Sequence, residues 1–286
     1  MAIFNPTIDE SSVRLKGMDD SLEALVAAVL SSSKYRHVSP DFVRAVGARE
    51  LGRRPNLKAA IKATKNMLHQ AGGAFQDAPI DYAQALARLQ SVAAEPDSEA
   101  FRAACRWVMA GHTSTRERLP ILDAFYVSIL ASVPPPGRVL DIACGLNPLA
   151  RPWMPLPAAA EYVAYDIYTD QIDFLNAYFA LSGYKGRAEV RDVIGSPPGD
   201  PADLALILKT LPCLEAVDRH APAGLLDALR APLLLVSFPA QTLGGRRKGM
   251  AAHYEERFRM LLEKRGWPAE RFEFKTELAF LVRKHI

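Results

Sequence analysis

Arg138-Val139-Leu140-Asp141-Ile142-Ala143-Cys144-Gly145-Leu146-Asn147-Pro148-Leu149-Ala150 is the stretch from which the rest of the chain can be read. A strand-like apolar run passes into a turn of small residues, where the lack of bulky Cβ groups lets a ligand approach the main chain closely. Asp141 falls at the carboxyl end of that strand, the edge at which open α/β sheets bind ligands. The plainer alternative is a strand-end acid that bonds its own turn.

Working outward, the texture after Pro134-Pro135-Pro136-Gly137 is one of short β-rich runs alternating with helical stretches, at 138–142, 161–165, 188–193, 204–208 and 233–238. That alternation predicts a mostly parallel sheet covered by helices. The last two runs, 271–277 and 279–283, have no helix between them and read as an antiparallel pair joined tightly at Leu278. Before this region, helical periodicity dominates, with Leu22, Leu25, Val26, Val29 and Leu30 in one run and further helices expected at 40–46, 57–69, 81–92 and 98–109. The expected division is a helical N-terminal domain over 1–110 and an α/β domain over 111–286.

The second predicted strand ends in Asp166, about 20 residues beyond the small-residue turn, the spacing at which a carboxylate meets ribose hydroxyls. The third ends in Arg191-Asp192-Val193, where Asp192 and neighbouring backbone can hold an adenine amino group or simply cap a loop. A dinucleotide would need the Gly-x-Gly-x-x-Gly pattern that seats a pyrophosphate, and Asn147 and Pro148 stand where it should continue. A sulfonium cofactor carries no pyrophosphate, so S-adenosyl-L-methionine and methyl transfer are favoured over hydride transfer. Upstream, Ser114 or Thr115 can cap a helix, while Arg116 and Arg118 can offer a fork to the methionyl carboxylate.

Composition narrows the class. In 286 residues, 49% are hydrophobic and 23% charged, which suits a folded protein with a sizeable core. Cys105, Cys144 and Cys213 are scattered without a metal-ligand spacing, so no metal is expected and the thiols read as reduced, in a cytoplasmic protein. The N-terminus has no basic segment followed by an apolar one, and no run is long enough for a membrane span. The net charge is only +3, but Lys34, Arg36, Arg44, Arg49, Arg53, Arg54, Lys58, Lys62 and Lys65 face just Asp41 and Glu50 between positions 34 and 65. Arg54, Lys58, Lys62 and Lys65 recur at helical spacing and can track a phosphate backbone, or form an ordinary solvated face.

Three segments together resemble one known family. They are His112-Thr113-Ser114-Thr115-Arg116-Glu117-Arg118-Leu119, the turn at 141–150, and Leu208-Lys209-Thr210-Leu211-Pro212-Cys213-Leu214-Glu215. The family is the aminoglycoside-resistance 16S rRNA methyltransferases that modify N7 of guanine 1405 in the decoding site. The resemblance implies a Rossmann-like class I S-adenosylmethionine methyltransferase fold with a helical N-terminal domain that docks on the assembled 30S subunit. It implies cofactor contacts at His112, Thr113, Ser114, Arg118, Ala143, Gly145, Asp166, Asp192, Val193 and Leu208, with Arg118 on the methionyl carboxylate and Asp166 on the ribose. The segment Ser237-Phe238-Pro239-Ala240-Gln241-Thr242-Leu243-Gly244-Gly245-Arg246-Arg247-Lys248-Gly249-Met250 matches a family loop, placing Arg246 with Lys209 near the target nucleotide.

Guanine N7 attacks through a lone pair and needs no general base, so alignment and base extraction are the expected work. Tyr165 and Phe238 are possible stacking partners, though such strand residues more often belong to a core. Rival readings are a small-molecule methyltransferase, which leaves the basic helices unused, and a ribosome-binding factor that no longer catalyses. A monomer docking through Arg53, Arg54, Lys58, Lys62 and Lys65 is the expected working form.

Overall fold

In the computed structural model, residues 10–73, 79–96, 98–240 and 250–285 are described. Arg246 and most of its loop lie outside them. The helices are α1 (Glu10–Leu30), α2 (Pro40–Leu51), α3 (Leu57–Leu68), α4 (Tyr82–Gln90), α5 (Glu99–Met109), α6 (Thr113–Arg118), α7 (Leu122–Leu130), α8 (Thr169–Ser182), α9 (Leu211–Val217), α10 (Ala221–Ala228) and α11 (Met250–Glu263). The strands are β1 (Arg138–Ile142), β2 (Glu161–Asp166), β3 (Gly186–Val190), β4 (Leu204–Leu208), β5 (Leu233–Pro239), β6 (Ala269–Glu273) and β7 (Glu277–Arg283).

Helix starts follow local chemistry. Ser39, Asn56, Asp81 and Ser98 each accept the amide of the residue three positions on, which satisfies an otherwise orphaned donor at the starts of α2, α3, α4 and α5. In α5 the buried Phe101, Ala104, Cys105, Val108 and Met109 recur at helical spacing and aim one stripe at the core. β4, Leu-Ala-Leu-Ile-Leu throughout, is buried on both faces, as a central parallel strand must be.

The strand order is β3-β2-β1-β4-β5-β7-β6, parallel through β5 and antiparallel where β7 pairs with β5 and with β6. This is the expected Rossmann-like class I layout. Alternation along the strands sends Val139, Tyr162, Leu204, Leu206 and Leu235 to one core, shared with α4, α5, α7 and α8. Leu140, Val163, Ala205, Ile207 and Val236 go to the opposite core, with α9, α10 and α11. α1, α2 and α3 pack a third core of their own around Leu25, Val29, Phe42, Val43 and Leu68. Within the expected N-terminal domain, α4 and α5 therefore pack with the sheet, and only α1–α3 form a separate cluster.

Two strand positions shift from the sequence reading. β3 ends at Val190 instead of 193: Arg191 N makes the last ladder bond, to Asp166 O where β2 also ends, and Asp192 turns into a loop by accepting Ile194 N. In the terminal pair the turn lies at 274–276, where Phe274 N donates to Glu277 O, and Leu278 is an ordinary β7 residue paired with Phe238 and Glu273.

Candidate active site

Between β1 and β4 the chain reverses its direction of travel across the sheet, and the carboxyl ends of the strands open a cleft of about 780 Å³ there. Two residues just past those strand ends are the only non-glycine positions with positive φ among the described residues: Ala143 at 50° and Lys209 at 59°. A left-handed conformation costs an L-residue about 1–2 kcal/mol, so the surrounding fold must hold both. Thr210 Oγ1 donates to Ile142 O, and Lys209 N donates to Ser237 O, tying the two turns to neighbouring strands.

The turn after β1 is built around Gly145. Its φ of 52° suits glycine, and a Cβ there would stand 3.0 Å from Cε1 of His112. His112 itself is buried, and burial, followed by the charges of Lys209, Arg118 and Arg116, pushes its pKa down to about 4. At neutral pH it is an uncharged ring laid on the turn. Gly145 N donates to Asp166 Oδ2 and Ile167 N to Oδ1, so the acid at the end of β2 organises the floor while facing the cleft. Burial raises the pKa of Asp166.

Asp192 accepts Ile194 N at 2.9 Å, the loop-capping arrangement, and also lines the cleft. Gly195 keeps that carboxylate in place, since a Cβ there would come within 2.7 Å of Oδ2. Val193, Ile194, Leu208, Leu214 and Val217 add apolar wall. Cys213 lines it too, as a thiol whose pKa burial pushes up to about 12.

Beneath the cleft lies a buried charge network. Arg118, fully buried, donates to Glu277 from Nε and Nη2 and to Asn147 Oδ1 from Nη1 at 2.8 Å. Asn147 Oδ1 also accepts the Tyr126 hydroxyl, and its Nδ2 donates to Asp141. Glu277 further accepts Ser237 Oγ at 2.6 Å and stands 3.4 Å from Lys209 Nζ. Burial alone would raise the Glu277 pKa, but the charges of Arg118 and Lys209 outweigh it and hold the group below its ordinary value. Lys209 Nζ completes the set with Glu117 Oε2 at 2.8 Å and Ser114 O at 3.1 Å. Asp141, bonded by Tyr162 and Asn147 and pushed up to about 7 by burial, serves its own turn and does not line the cleft.

Comparison with known proteins decides the family. A family model described as ribosomal RNA methyltransferase (FmrO) matches residues 31–281. The chain belongs to that family. This methyltransferase is 39% identical over 268 residues to a 16S rRNA (guanine(1405)-N(7))-methyltransferase of Micromonospora echinospora, a match that spans 93% of this chain and 98% of that one. The corresponding enzyme of Serratia marcescens is 35% identical over 274 residues, 91% of this chain and 97% of that one. Among solved structures, 16S rRNA methyltransferase RmtF in complex with S-adenosyl-L-homocysteine gives a TM-score of 0.78 at 35% identity, covering 93% of this chain and 98% of that one. The 16S rRNA methylase RmtB gives 0.76 at 30%, covering 92% and 98%.

Of the residues singled out in the methyltransferase sequence, His112, Ser114, Ala143, Gly145, Asp166, Asp192, Val193, Leu208 and Lys209 meet around the cleft. Thr113 and Arg118 do not line it. Thr113 Oγ1 accepts from Arg116, and Arg118 donates to Glu277 and Asn147. Neither Ser114 nor Thr115 caps α6, which starts at Thr113; Thr115 Oγ1 donates back to Met109 O. Tyr165 is wholly in the core with Arg191 stacked on it, and Phe238 is buried against Tyr254. Phe42, Gly72, Ile167, Tyr168 and Gln171 line the cleft without having been singled out, the first two because they arrive from α2 and from the π turn His69–Gly73 that ends α3.

On α3, Lys58 and Lys62 are exposed and Lys65 half-buried, and their ammonium groups form no ion pair among the described residues. Arg53 and Arg54 lean on the buried Glu50, at 4.0 and 2.7 Å, while remaining largely exposed. No group of residues that could hold a metal ion occurs among the described residues, and none of their helices is long and apolar enough to cross a membrane.

Proposed function

We propose that the protein transfers the methyl group of S-adenosylmethionine to N7 of guanine 1405 in 16S rRNA, a modification that confers aminoglycoside resistance. The observation that carries this reading is that the match to the Micromonospora enzyme runs through the helical unit as well as the sheet, covering 98% of that protein. The cleft fits the cofactor. Acids at the ends of β2 and β3 accept hydroxyl and amino donors, apolar walls accept the purine faces, and the turn at Gly145 brings backbone close to the ligand.

Asp166 would hold the ribose, Asp192 and Val193 the adenine edge, and Ile194, Leu214 and Val217 its faces. His112 and Ser114 would border the methionyl end. Arg118 acts one layer below, holding Asn147 and Glu277 and through them the turn and Lys209. When bound, the cofactor supplies an electrophilic methyl group. The protein's part is to fix the line of approach for a neutral nucleophile, which needs no proton removed. Arg246 is assigned to the target nucleotide, and Lys209 to the boundary between cofactor and target.

α1–α3 form the docking unit, with Lys58, Lys62, Lys65, Arg53 and Arg54 on phosphates of the assembled 30S subunit. The protein works as a cytoplasmic monomer. The test is methyl transfer from radiolabelled S-adenosylmethionine to unmodified 30S subunits and to naked 16S rRNA, with N7-methylguanine mapped by chemical cleavage. Label at guanine 1405 on 30S only is the expected result. Absence of label despite cofactor binding would sink the assignment.

A further inference from the structure

The helix that presents the basic face also ends at the cofactor cleft. α3 carries Lys58, Lys62 and Lys65 and runs directly into the π turn His69–Gly73, whose Gly72 lines the cleft. At about 1.5 Å per residue, Lys58 and Gly72 lie roughly 20 Å apart along one continuous helical rod. Gly72 is pressed so closely on Tyr168 that an added Cβ would stand 2.6 Å from the hydroxyl oxygen.

α2 meets the cleft by a second route. Phe42, in its first turn, lines the wall. The segment before it is stapled to the chain leaving Asp166: Ser39 N donates to Ile167 O at 2.7 Å, and Thr169 N to His37 O at 2.8 Å, so that Val38 and Tyr168 pair as a short antiparallel bridge. Arg49, at the far end of α2, reaches Asp218 at 3.6 Å, just after α9. Most telling, Ile167, Tyr168, Ile194 and Val217 do double service. All four line the cleft, and all four pack against the core of α1–α3. The cofactor wall and the foundation of the basic helices are one surface.

Whatever holds α3 in place therefore also holds Gly72 and Phe42 against the cleft, and coupling between two binding sites is reciprocal by linkage. We propose that Phe42 and Gly72 are cofactor-retaining residues contributed by the docking helices, so that occupation of the basic face by rRNA tightens the cofactor and the cofactor tightens the grip on rRNA. This rests on the reading of the cleft as the S-adenosylmethionine site and of α3 as the rRNA face.

The experiment is equilibrium dialysis of radiolabelled S-adenosylhomocysteine, which cannot react, against the full chain alone and saturated with 30S subunits. Affinity is expected to rise about fivefold or more on the 30S subunit, within the usual span of coupling between sites. Gly72→Ala, which forces the turn away from Tyr168, is expected to cut that rise to less than about twofold. Arg49→Ala, at a residue that does not line the cleft, is expected to reduce the rise as well. Equal affinity for the free and 30S-bound protein, or a rise that survives both substitutions undiminished, overturns the proposal. Failure of S-adenosylhomocysteine to bind the free protein would instead remove the cofactor reading, and failure of 30S to bind would remove the docking reading, each taking the proposal with it.

Discussion

Two groups of cations in this protein have the same chemistry and opposite circumstances. Arg118 and Lys209 are 0% and 4% exposed, and each meets a carboxylate within 3 Å. Lys58, Lys62 and Lys65 lie along the outer side of α3 and meet none among the described residues. Burying a charge carries a large desolvation penalty, so a cation in the interior persists only where a counter-charge is built beside it. An exposed lysine keeps its hydration and its counter-ion atmosphere until a polyanion displaces them. Positive charge in a sequence thus points to a docking face where folding leaves it exposed, and not where burial commits it to an internal counter-charge.

The widest gap between the two groups should appear on removing the counter-charge. Glu277→Gln leaves Arg118 and Lys209 buried with weakened compensation and is expected to destabilise the fold by about 3–5 kcal/mol, read from urea unfolding. A loss under about 1 kcal/mol would show that the interior set is as loosely held as the surface one. Next in size, the double reversal Lys58→Glu and Lys62→Glu is expected to weaken 30S binding about a hundredfold and flatten its salt dependence. Its unfolding free energy should stay within about 0.5 kcal/mol of the parent. Unchanged 30S affinity would strip α3 of its role.

Lys209 sharpens the comparison, because its sequence context suggested a substrate anchor and its surroundings make it an interior ion. Lys209→Met is expected to lower stability by about 1–2 kcal/mol and weaken S-adenosylhomocysteine binding, with cofactor-free 30S binding unaltered. A drop in 30S binding alone would move Lys209 into the exposed group. The smallest effect concerns Asp141, whose carboxyl stays protonated in the fold up to about pH 7. As pH rises toward 7 the unfolded chain releases this proton and the folded one does not, so the wild type loses stability that an Asp141→Asn variant keeps. The difference, variant minus parent, should grow by about 1 kcal/mol between pH 6 and 7 in paired urea titrations. His112, pushed to about 4, acts with the opposite sign, its contribution falling as pH drops from its unfolded value toward 4, and it cancels from the comparison because both proteins carry it.

Local signals carried much of this structure. β4 was legible to the residue because a fully buried parallel strand is an unbroken apolar run, and β1, Arg-Val-Leu-Asp-Ile, because its apolar residues lead straight into a turn of small residues. Asp166 and Asp192 were legible because strand ends and ligand edges coincide in open sheets. The setting of Arg118 was not, since its partner Glu277 lies 159 residues away and nothing near either residue announces the other. Phe42 and Gly72 were equally silent, reaching the cleft only because α1–α3 pack on the chain beyond β2. The terminal turn was misplaced because 274–276 holds no glycine or asparagine to mark it, while apolar residues continue on both sides.

Glu277 also has a place in time. It sits on β7, the last strand in chain order, which inserts between β5 and β6 instead of adding to the edge. Synthesis proceeds from the N-terminus, and early units fold first. The buried residues of the α1–α3 core all come early in the chain, while Arg118 waits for its carboxylate partner until nearly the whole polypeptide has been made. A nascent chain therefore completes the buried core of α1–α3 well before the charge network around Arg118, which closes only in molecules whose translation has run past β7.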